Sequence, residues 1–418
     1  MDYFGYILLA IVILLFMVLI HELGHYTAAK ILGFTVEEFS IGFGPKLFGK
    51  RRKNGELFSL RMLPLGGYCA FLGETDEDEQ SGKDEKEVKS ENEIGLPNKN
   101  DTVLCEPLQD ENKKNEDLLS YVMHSKLDEQ EQEQKRNSET VVRLDKNGNP
   151  ALGFYKQKPW KRIIVLLGGV TFNFLSAIIF SLIYIWVVGF ATPQVAADPY
   201  IDTAGDPYND LQKGDIILAV GGEEITVLTS FNDLTSAVKE GQTVTFRVDR
   251  GGKIIDVPVT KQRIVREDKN GKKTEYVGFG IQTHTTFVGA EAGNAFKYCV
   301  PYTFKLSWAI LGSFGQLISG KVPITSVTGP VGSVKLMADV SRTNSMNILI
   351  LLPLLASNLA IFNLLPFPAL DGAQIVFTVI EWIRRKPIKR KIQNMINSIG
   401  LIVLLLFVLV VDILSFAL

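Results

Sequence analysis

Cysteine and histidine are scarce in this chain. Its 418 residues include three cysteines, Cys69, Cys105 and Cys299, and four histidines. The cysteines are odd in number, far apart and without C-x-x-C spacing, which argues against a disulfide framework and against a cysteine-ligated metal site. Net charge is also nearly absent, at -2. Bulk charge therefore gives no indication of binding to nucleic acid.

Long apolar runs dominate the composition instead. Hydrophobic residues make up 46% of the sequence. Four runs each reach the roughly 18 to 20 residues that a helix needs to cross a hydrocarbon core. They cover residues 3–20, 163–190, 346–370 and 392–411. The sequence thus predicts a polytopic α-helical membrane protein with four transmembrane helices.

Two of the four histidines lie in one short motif that follows the first apolar run. The sequence His21-Glu22-Leu23-Gly24-His25 has H-E-x-x-H spacing, which puts both imidazoles on one helix face one turn apart. Such a pair can bind one zinc ion while the glutamate acts as general base. The alternatives are a chance match, a satisfied pair of core histidines, and a signal peptide. The run lacks a basic n-region and a cleavage site, and ionisable groups in a span favour a functional reading.

Basic residues indicate which loops face the cytoplasm. Lysines and arginines cluster at 46–53 after the first run, at 156–162 before the second, and at 384–391 between the third and fourth. Short loops rich in lysine and arginine stay on the cytoplasmic side. The two termini and residues 192–344 are therefore predicted to be extracytoplasmic.

A third zinc ligand is expected at the cytoplasmic end of another span, because the two histidines lie at that end of the first. Asp371 meets this requirement, within the stretch N-L-L-P-F-P-A-L-D-G that begins at Asn363. Two histidines and one carboxylate leave the fourth zinc position open for water, as in catalytic sites. The alternative is that Asp371-Gly372 is only a turn that ends a helix.

The H-E-L-G-H and N-L-L-P-F-P-A-L-D-G motifs together resemble the site-2 protease family of intramembrane zinc metalloproteases. The similarity is to its bacterial regulator-of-sigma-E protease type, which has a PDZ domain. It extends to the sequence Gly42-Phe43-Gly44-Pro45, to Leu63 through Tyr68, and to a G-x-x-x-N element from Gly169 to Asn173. The resemblance covers residues 1–74 and 153–418.

The resemblance implies roles for individual residues. Three residues would bind one Zn²⁺: His21, His25 and Asp371. Glu22 would be the catalytic base, and Asn363 would hold the substrate backbone or the developing oxyanion. Pro366 and Pro368 interrupt regular helix near the metal. Gly66 and Gly67 belong to a re-entrant β element whose edge could pair with an unwound substrate, unless this segment is an ordinary cytoplasmic hairpin.

The remaining sequence predicts one small α+β domain outside the membrane and an acidic insertion inside the cell. Three β-branched runs at 215–220, 243–248 and 254–259 read as strands, and the segment around Leu211 to Ile225 resembles a PDZ core. The predicted order is a first transmembrane helix at 1–32, a re-entrant β region at 33–74, a disordered insertion at 75–152, a second transmembrane helix at 153–191, a PDZ-like domain at 192–285, an interfacial helix and connector at 286–344, a third transmembrane helix at 345–380, and a basic loop with a fourth transmembrane helix at 381–418.

This resemblance implies an intramembrane endopeptidase of a bacterial plasma membrane that takes part in regulated intramembrane proteolysis. Its partners would be the lipid bilayer, single-span membrane proteins such as anti-sigma factors or signal-peptide remnants, and an upstream site-1-type protease that first trims the same substrate. Two rivals remain. One is a membrane-anchored zinc protease for soluble chains, and the other is a non-proteolytic zinc scaffold or carrier that works through its PDZ domain.

Overall fold

A computed structural model describes residues 3–52, 54–73, 152–200, 207–267, 273–323, 329–343 and 345–417. The predicted insertion at 75–152 lies, apart from its last residue, outside this part of the chain. The helices of the described part are α1 (Tyr3–Leu32), α2 (Pro159–Val187), α3 (Phe231–Ser236), α4 (Ala292–Ile318), α5 (Pro330–Thr343), α6 (Ile348–Leu364), α7 (Asp371–Arg384) and α8 (Arg390–Ala417). The strands are β1 (Val36–Arg51), β2 (Leu57–Phe71), β3 (Phe190–Val195), β4 (Ile216–Val220), β5 (Glu223–Glu224), β6 (Thr243–Arg250), β7 (Lys253–Thr260), β8 (Gln262–Glu267), β9 (Lys273–Gly278) and β10 (Thr283–Val288).

Three of the described helices are long and apolar enough to cross a membrane, namely α1, α2 and residues 390–414 of α8. Helix α6 is also apolar but has 17 residues. The predicted third transmembrane helix at 345–380 is therefore not one helix. The chain breaks between Leu364 and Asp371, because Pro366 and Pro368 lack the N–H groups that a continuous helix needs.

Helices α1, α2 and α6 form the centre of the membrane unit. Met17, Ala177 and Ala356 come from these three helices and are fully buried against one another. Small residues allow α1 and α2 to approach closely. A Cβ atom placed on Gly24 would lie 2.7 Å from the carbonyl carbon of Gly168. This contact brings the H-E-x-x-H segment directly against α2.

Helix α4 lies where an interfacial helix was predicted, and it packs against α2 and α6. The Thr303 hydroxyl lies 2.9 Å from the Ser181 hydroxyl of α2, and the Phe314 ring lies 5.8 Å from the ring of Phe362 near the end of α6. The helix thus follows α2 and α6 along their length. Its other face exposes a stripe of large apolar side chains, which are Phe296, Val300, Phe304, Trp308, Leu311 and Ile318. This stripe was not recognised in the sequence because Lys297 and Lys305 interrupt the apolar run.

The hairpin of β1 and β2 folds back on itself, so that part of β1 has a partner on each side. Phe39 pairs with Cys69 on one side and with Phe58 on the other, while Ser59 pairs with both Ser40 and Gly49. Residues 67–71 of β2 therefore form an edge of the sheet. Arg61 stabilises the fold-back, because its guanidinium donates to the Glu38 carboxylate at 2.8 Å and to the Gly44 carbonyl at 2.8 Å.

The domain predicted at 192–285 is built on one antiparallel sheet with the strand order β10-β3-β4-β6-β7, and β5 pairs with β4. The three predicted strands are confirmed as β4, β6 and β7. Phe246, Ile217 and Val248 lie at the centre of its core and are fully buried. The domain contacts α4 through Lys305, whose ammonium group donates to the Val227 and Leu228 carbonyl oxygens at 3.3 and 2.8 Å.

The residues that flank the predicted insertion on its two sides contact each other. The Phe154 N–H donates to the Leu72 carbonyl at 2.7 Å, and a Cβ atom on Gly73 would lie 3.1 Å from the Cα of Gly153. The Arg390 guanidinium lies 3.7 Å from the Tyr155 ring centroid. The residues on either side of the insertion are thus fixed by contacts with each other and with α8.

Deletion of residues 76–150 is expected to leave the rest of the fold intact, because the anchoring contacts lie outside the deleted segment and a shorter loop costs less entropy to close. Thermal unfolding in detergent should show an unchanged midpoint. Phe154→Ala is the positive control, because it empties a buried site and should cost about 3 kcal/mol. A large fall in midpoint for the deletion alone would contradict the expectation.

Candidate metal centre

Three ligand atoms from opposite ends of the chain converge on one point. The Nε2 atoms of His21 and His25 lie 3.0 and 3.2 Å from Oδ2 of Asp371, and 3.1 Å from each other. Both histidines are buried, at 7% and 6% exposure. Within the described residues this is the one group of three or more histidine, cysteine or acidic side chains placed to hold a metal ion.

The chemistry of these atoms fits a cation. Nδ1 of His25 lies 2.9 Å from the Val165 carbonyl oxygen and donates its proton there, so Nε2 of a neutral ring carries only a lone pair. Oδ2 of Asp371 is buried and has no satisfactory hydrogen-bond donor. Acceptor atoms so close together repel one another unless a positive ion lies between them. Two imidazoles and one carboxylate are a ligand set typical of catalytic zinc.

The break after α6 places Asp371 at this point. Asp371 is the first residue of α7, and Leu370 precedes it as the N-cap. Gly372 fits tightly behind it, because a Cβ atom there would lie 2.5 Å from the Leu364 carbonyl oxygen. Asp371-Gly372 therefore starts a helix and does not end one. The glycine serves close packing, since its φ angle is not in the left-handed region.

Helix α2 forms the wall behind the two histidines. A Cβ atom on Gly169 would lie 2.5 Å from Nε2 of His25 and 2.6 Å from Cε1 of His21. One turn further along, the Asn173 amide lies 3.0 Å from Nδ1 of His21. The G-x-x-x-N element thus contacts both candidate ligands directly.

The H-E-x-x-H glutamate faces the edge of the folded hairpin. The Cys69 backbone N–H donates to the Glu22 carboxylate. A Cβ atom on Gly67 would lie 3.4 Å from Cγ of Glu22 and 2.7 Å from the Ser40 carbonyl oxygen. Helix α1 and strand β2 therefore meet at the Glu22 carboxylate, where Gly67 has no side chain to separate them.

The other predicted substrate-binding residues are Asn363, Pro366, Pro368 and Gly66. Asn363 is in the last turn of α6, where its amide has no hydrogen-bond partner among the described residues. Pro366 is exposed, and Pro368 packs against Gly400 of α8. Gly66 packs against the Phe43 ring. Contact of any of these four with a substrate stays a prediction.

Sequence reasoning missed a buried ion pair that ties α7 to α2. The Arg162 guanidinium donates to the Glu381 carboxylate at 2.7 Å, and the two side chains are 4% and 9% exposed. Glu381 also accepts from the Gln393 amide at 2.9 Å and from the Ile388 N–H at 3.1 Å. Arg162 was counted only within a basic cluster, and nothing in the sequence around Glu381, just after the predicted third transmembrane helix, indicates its partner.

Comparison with known proteins agrees with this geometry. The model of peptidase family M50 matches residues 9–407. The chain is 31% identical to the regulator of sigma-W protease RasP of Bacillus subtilis over 94% of both sequences. It is 29% identical to the zinc metalloproteases RasP of Bacillus licheniformis and of Geobacillus kaustophilus, again over 94% of each sequence. The chain therefore belongs to peptidase family M50, the site-2 protease family, and is a zinc metalloprotease of the membrane.

Proposed function

We propose that this protein is an intramembrane endopeptidase, which hydrolyses peptide bonds within or near the transmembrane segments of other membrane proteins. His21, His25 and Asp371 hold the zinc ion, and Glu22 is the general base. One observation carries the proposal. The base and two ligands belong to α1, a helix of 30 residues that is long and apolar enough to cross a membrane. The reaction therefore takes place at membrane depth.

The side chains around this point support hydrolysis by an activated water. Bound zinc supplies Lewis-acid chemistry, which lowers the pKa of water and polarises a carbonyl group. Glu22 takes a proton from the water and returns it to the leaving amine. The Cys69 N–H holds the Glu22 carboxylate in place. The Val165 carbonyl fixes the His25 ring so that Nε2 faces the metal.

The edge of β2 is the proposed substrate-docking element. A transmembrane helix must unwind before its peptide bonds can be attacked, because its backbone groups are hydrogen-bonded internally. An extended segment can replace those bonds by pairing with an exposed strand edge. Residues 67–71 form such an edge, and Gly67 lies beside Glu22 with no side chain in between. Gly66, Asn363, Pro366 and Pro368 complete the proposed substrate-binding set.

The proposed topology has four spans, α1, α2, α6 and α8, with both termini and the PDZ-like domain outside a bacterial plasma membrane. Helix α6 is about 26 Å long, close to the thickness of about 30 Å that a hydrocarbon core has. Two contacts at the end opposite the metal centre support this arrangement. Tyr3 of α1 bonds Asp339 of α5, and the Gly332 N–H of α5 donates to Asp412 of α8 at 3.2 Å.

The proposed substrates are single-span membrane proteins, including anti-sigma-factor-like proteins and signal-peptide remnants. The name of the Bacillus subtilis relative, a regulator of sigma-W protease, supports this class. In the proposed topology the PDZ-like domain lies outside the membrane and contacts α4 through Lys305, so a bulky outer domain on a substrate would collide with it. An upstream site-1-type protease would therefore act first and trim the substrate.

The test compares the wild type with Glu22→Gln on a single-span reporter in bilayers, with zinc content measured in both proteins. Wild type is expected to cut within the reporter's span. Glu22→Gln should retain zinc and lose about 10²- to 10⁴-fold in rate, the contribution typical of a general base. Glu223→Gln, on the exposed strand β5, is the matched control and should cut normally.

Two outcomes would contradict the proposal. Cleavage of a soluble unfolded chain but not of the reporter's span would favour a membrane-anchored protease for soluble substrates. If neither protein cut while both held zinc, and reporters with trimmed outer domains also survived, the non-proteolytic scaffold or carrier would be favoured.

A further inference from the structure

Asn173 carries an unexplained polar atom next to the metal centre. The residue is 1% exposed, and its Oδ1 is buried without a hydrogen-bond partner. Its Nδ2 faces Nδ1 of His21 at 3.0 Å. A buried acceptor without a partner costs about 1–3 kcal/mol, so this arrangement needs an explanation.

The tautomer required of His21 decides which of the two amide atoms should face the ring. Nε2 of His21 points at Asp371, so a ring that binds metal through Nε2 carries its proton on Nδ1. Nδ1–H would then face the Nδ2–H₂ group, and two donors would oppose each other. The oxygen and nitrogen of an amide are assigned from the hydrogen-bond network. Rotating this amide by half a turn places Oδ1 opposite Nδ1–H and replaces the repulsion with a hydrogen bond.

His25 has the equivalent arrangement with an acceptor that cannot be misassigned. Its Nδ1 lies 2.9 Å from the Val165 carbonyl oxygen, also on α2. Each histidine thus has its metal-facing Nε2 on one side and an α2 group at Nδ1 on the other. Gly169 lies between these two contacts, and the absence of a side chain there lets both rings approach α2.

We propose that Asn173 is a positioning residue for zinc, whose Oδ1 accepts the Nδ1–H of His21 and fixes the tautomer and ring orientation that present Nε2 to the metal. The inference rests on the proposed zinc ligands. This positioning role differs from a packing role, because packing would require only a side chain of suitable volume at position 173 of α2.

Two substitutions distinguish these roles because they act in opposite directions. Asn173→Leu keeps the branched shape of the side chain, at a larger volume, and removes the acceptor, so zinc affinity should fall by about 10- to 100-fold, as is typical when an outer-shell partner is lost. Asn173→Asp keeps an acceptor at the same position, so zinc affinity should stay within a few-fold of wild type. A packing role predicts that leucine is tolerated and that a buried aspartate is not.

The measurement is zinc affinity by competition with a chromophoric chelator, together with the visible absorption spectrum of the Co²⁺-loaded protein. Asn173→Leu should also shift the Co²⁺ bands, because the His21 ring is no longer fixed. Ser176→Ala is the matched control, since Ser176 is a buried polar residue on α2 that bonds the Asn173 carbonyl and not a histidine. It should leave affinity and spectrum unchanged.

The outcomes separate this inference from the proposed function. If Asp371→Ala bound zinc as tightly as wild type, the proposed metal centre would be wrong. If Asp371→Ala lost zinc while Asn173→Leu bound it normally, only the role of Asn173 would be overturned. Should Asn173→Leu fail to fold, Asn173→Ala replaces it, and wild-type affinity with wild-type Co²⁺ bands in that variant would overturn the inference.

Discussion

Replacement of Asp371 with alanine is expected to release zinc from the protein and to abolish cleavage. The carboxylate is one of three converging ligand atoms, and two imidazoles 3.1 Å apart at Nε2 cannot complete a site alone. Affinity should fall by more than about 100-fold, because even outer-shell partners of a metal contribute 10- to 100-fold. Zinc content after dialysis, measured by atomic emission, checks the expectation.

Asp371→Ala removes the metal ligand and is not expected to destabilise α7. Leu370 occupies the N-cap of α7, so alanine at Asp371 removes no capping side chain. Glu22→Gln is the complementary variant, since it should hold zinc and still fail to cut. If Asp371→Ala kept a full equivalent of zinc, the third ligand would have to be another residue.

Gly24→Ala should cause the second large loss, although the side chain adds one methyl group. The new Cβ would lie 2.7 Å from the Gly168 carbonyl carbon and 2.9 Å from the Gly169 Cα, both of which are backbone atoms that cannot rotate away. Helices α1 and α2 must therefore separate, and the histidines lose their wall. Cleavage should fall by about 100-fold or more, since a displacement of about 1 Å at a catalytic centre has effects of this size.

A matched glycine tests whether this loss comes from the close approach. Gly312 is also in the interior of a helix, α4, and a Cβ atom there meets nothing within 4 Å. Gly312→Ala should therefore leave cleavage unchanged and stabilise α4 by up to about 1 kcal/mol, the difference in helix propensity. Equal cleavage by Gly24→Ala and Gly312→Ala would show that the α1–α2 contact does not position the histidines.

The candidate centre was predictable from sequence because its chemistry is carried by spacing. H-E-x-x-H fixes the relation of His21 to His25 on any helix, and charge placement predicts which end of a second span must supply Asp371. Contacts between residues that are distant in the sequence were not predictable in the same way. The Cys69 N–H that bonds Glu22 is a backbone group, and no residue type indicates it.

The fold was predictable where local pattern decides structure. The β-branched runs of the predicted α+β domain became β4, β6 and β7, since alternation and turn residues suffice to indicate strands. The packing of α4 was not predictable, because hydropathy does not reveal that Lys305 donates to the Val227 and Leu228 carbonyls of a separate domain. The two-sided pairing of β1 also depends on long-range register and has no local signature.

The ligand set has a consequence for the stability of the whole chain. His21 and His25 lie near its start, and Asp371 lies near its end. A metal held by all three closes a loop around almost the entire polypeptide, which constrains the unfolded ensemble in the way that a cross-link does. Cys69 and Cys299 are free thiols in the described part of the chain, so a metal ion bound by these three residues would supply a cross-link of the kind that disulfides supply in secreted proteins. The same ion that enables hydrolysis would thus join α1 to α7 and hold these two distant segments of the chain in one cooperative unit.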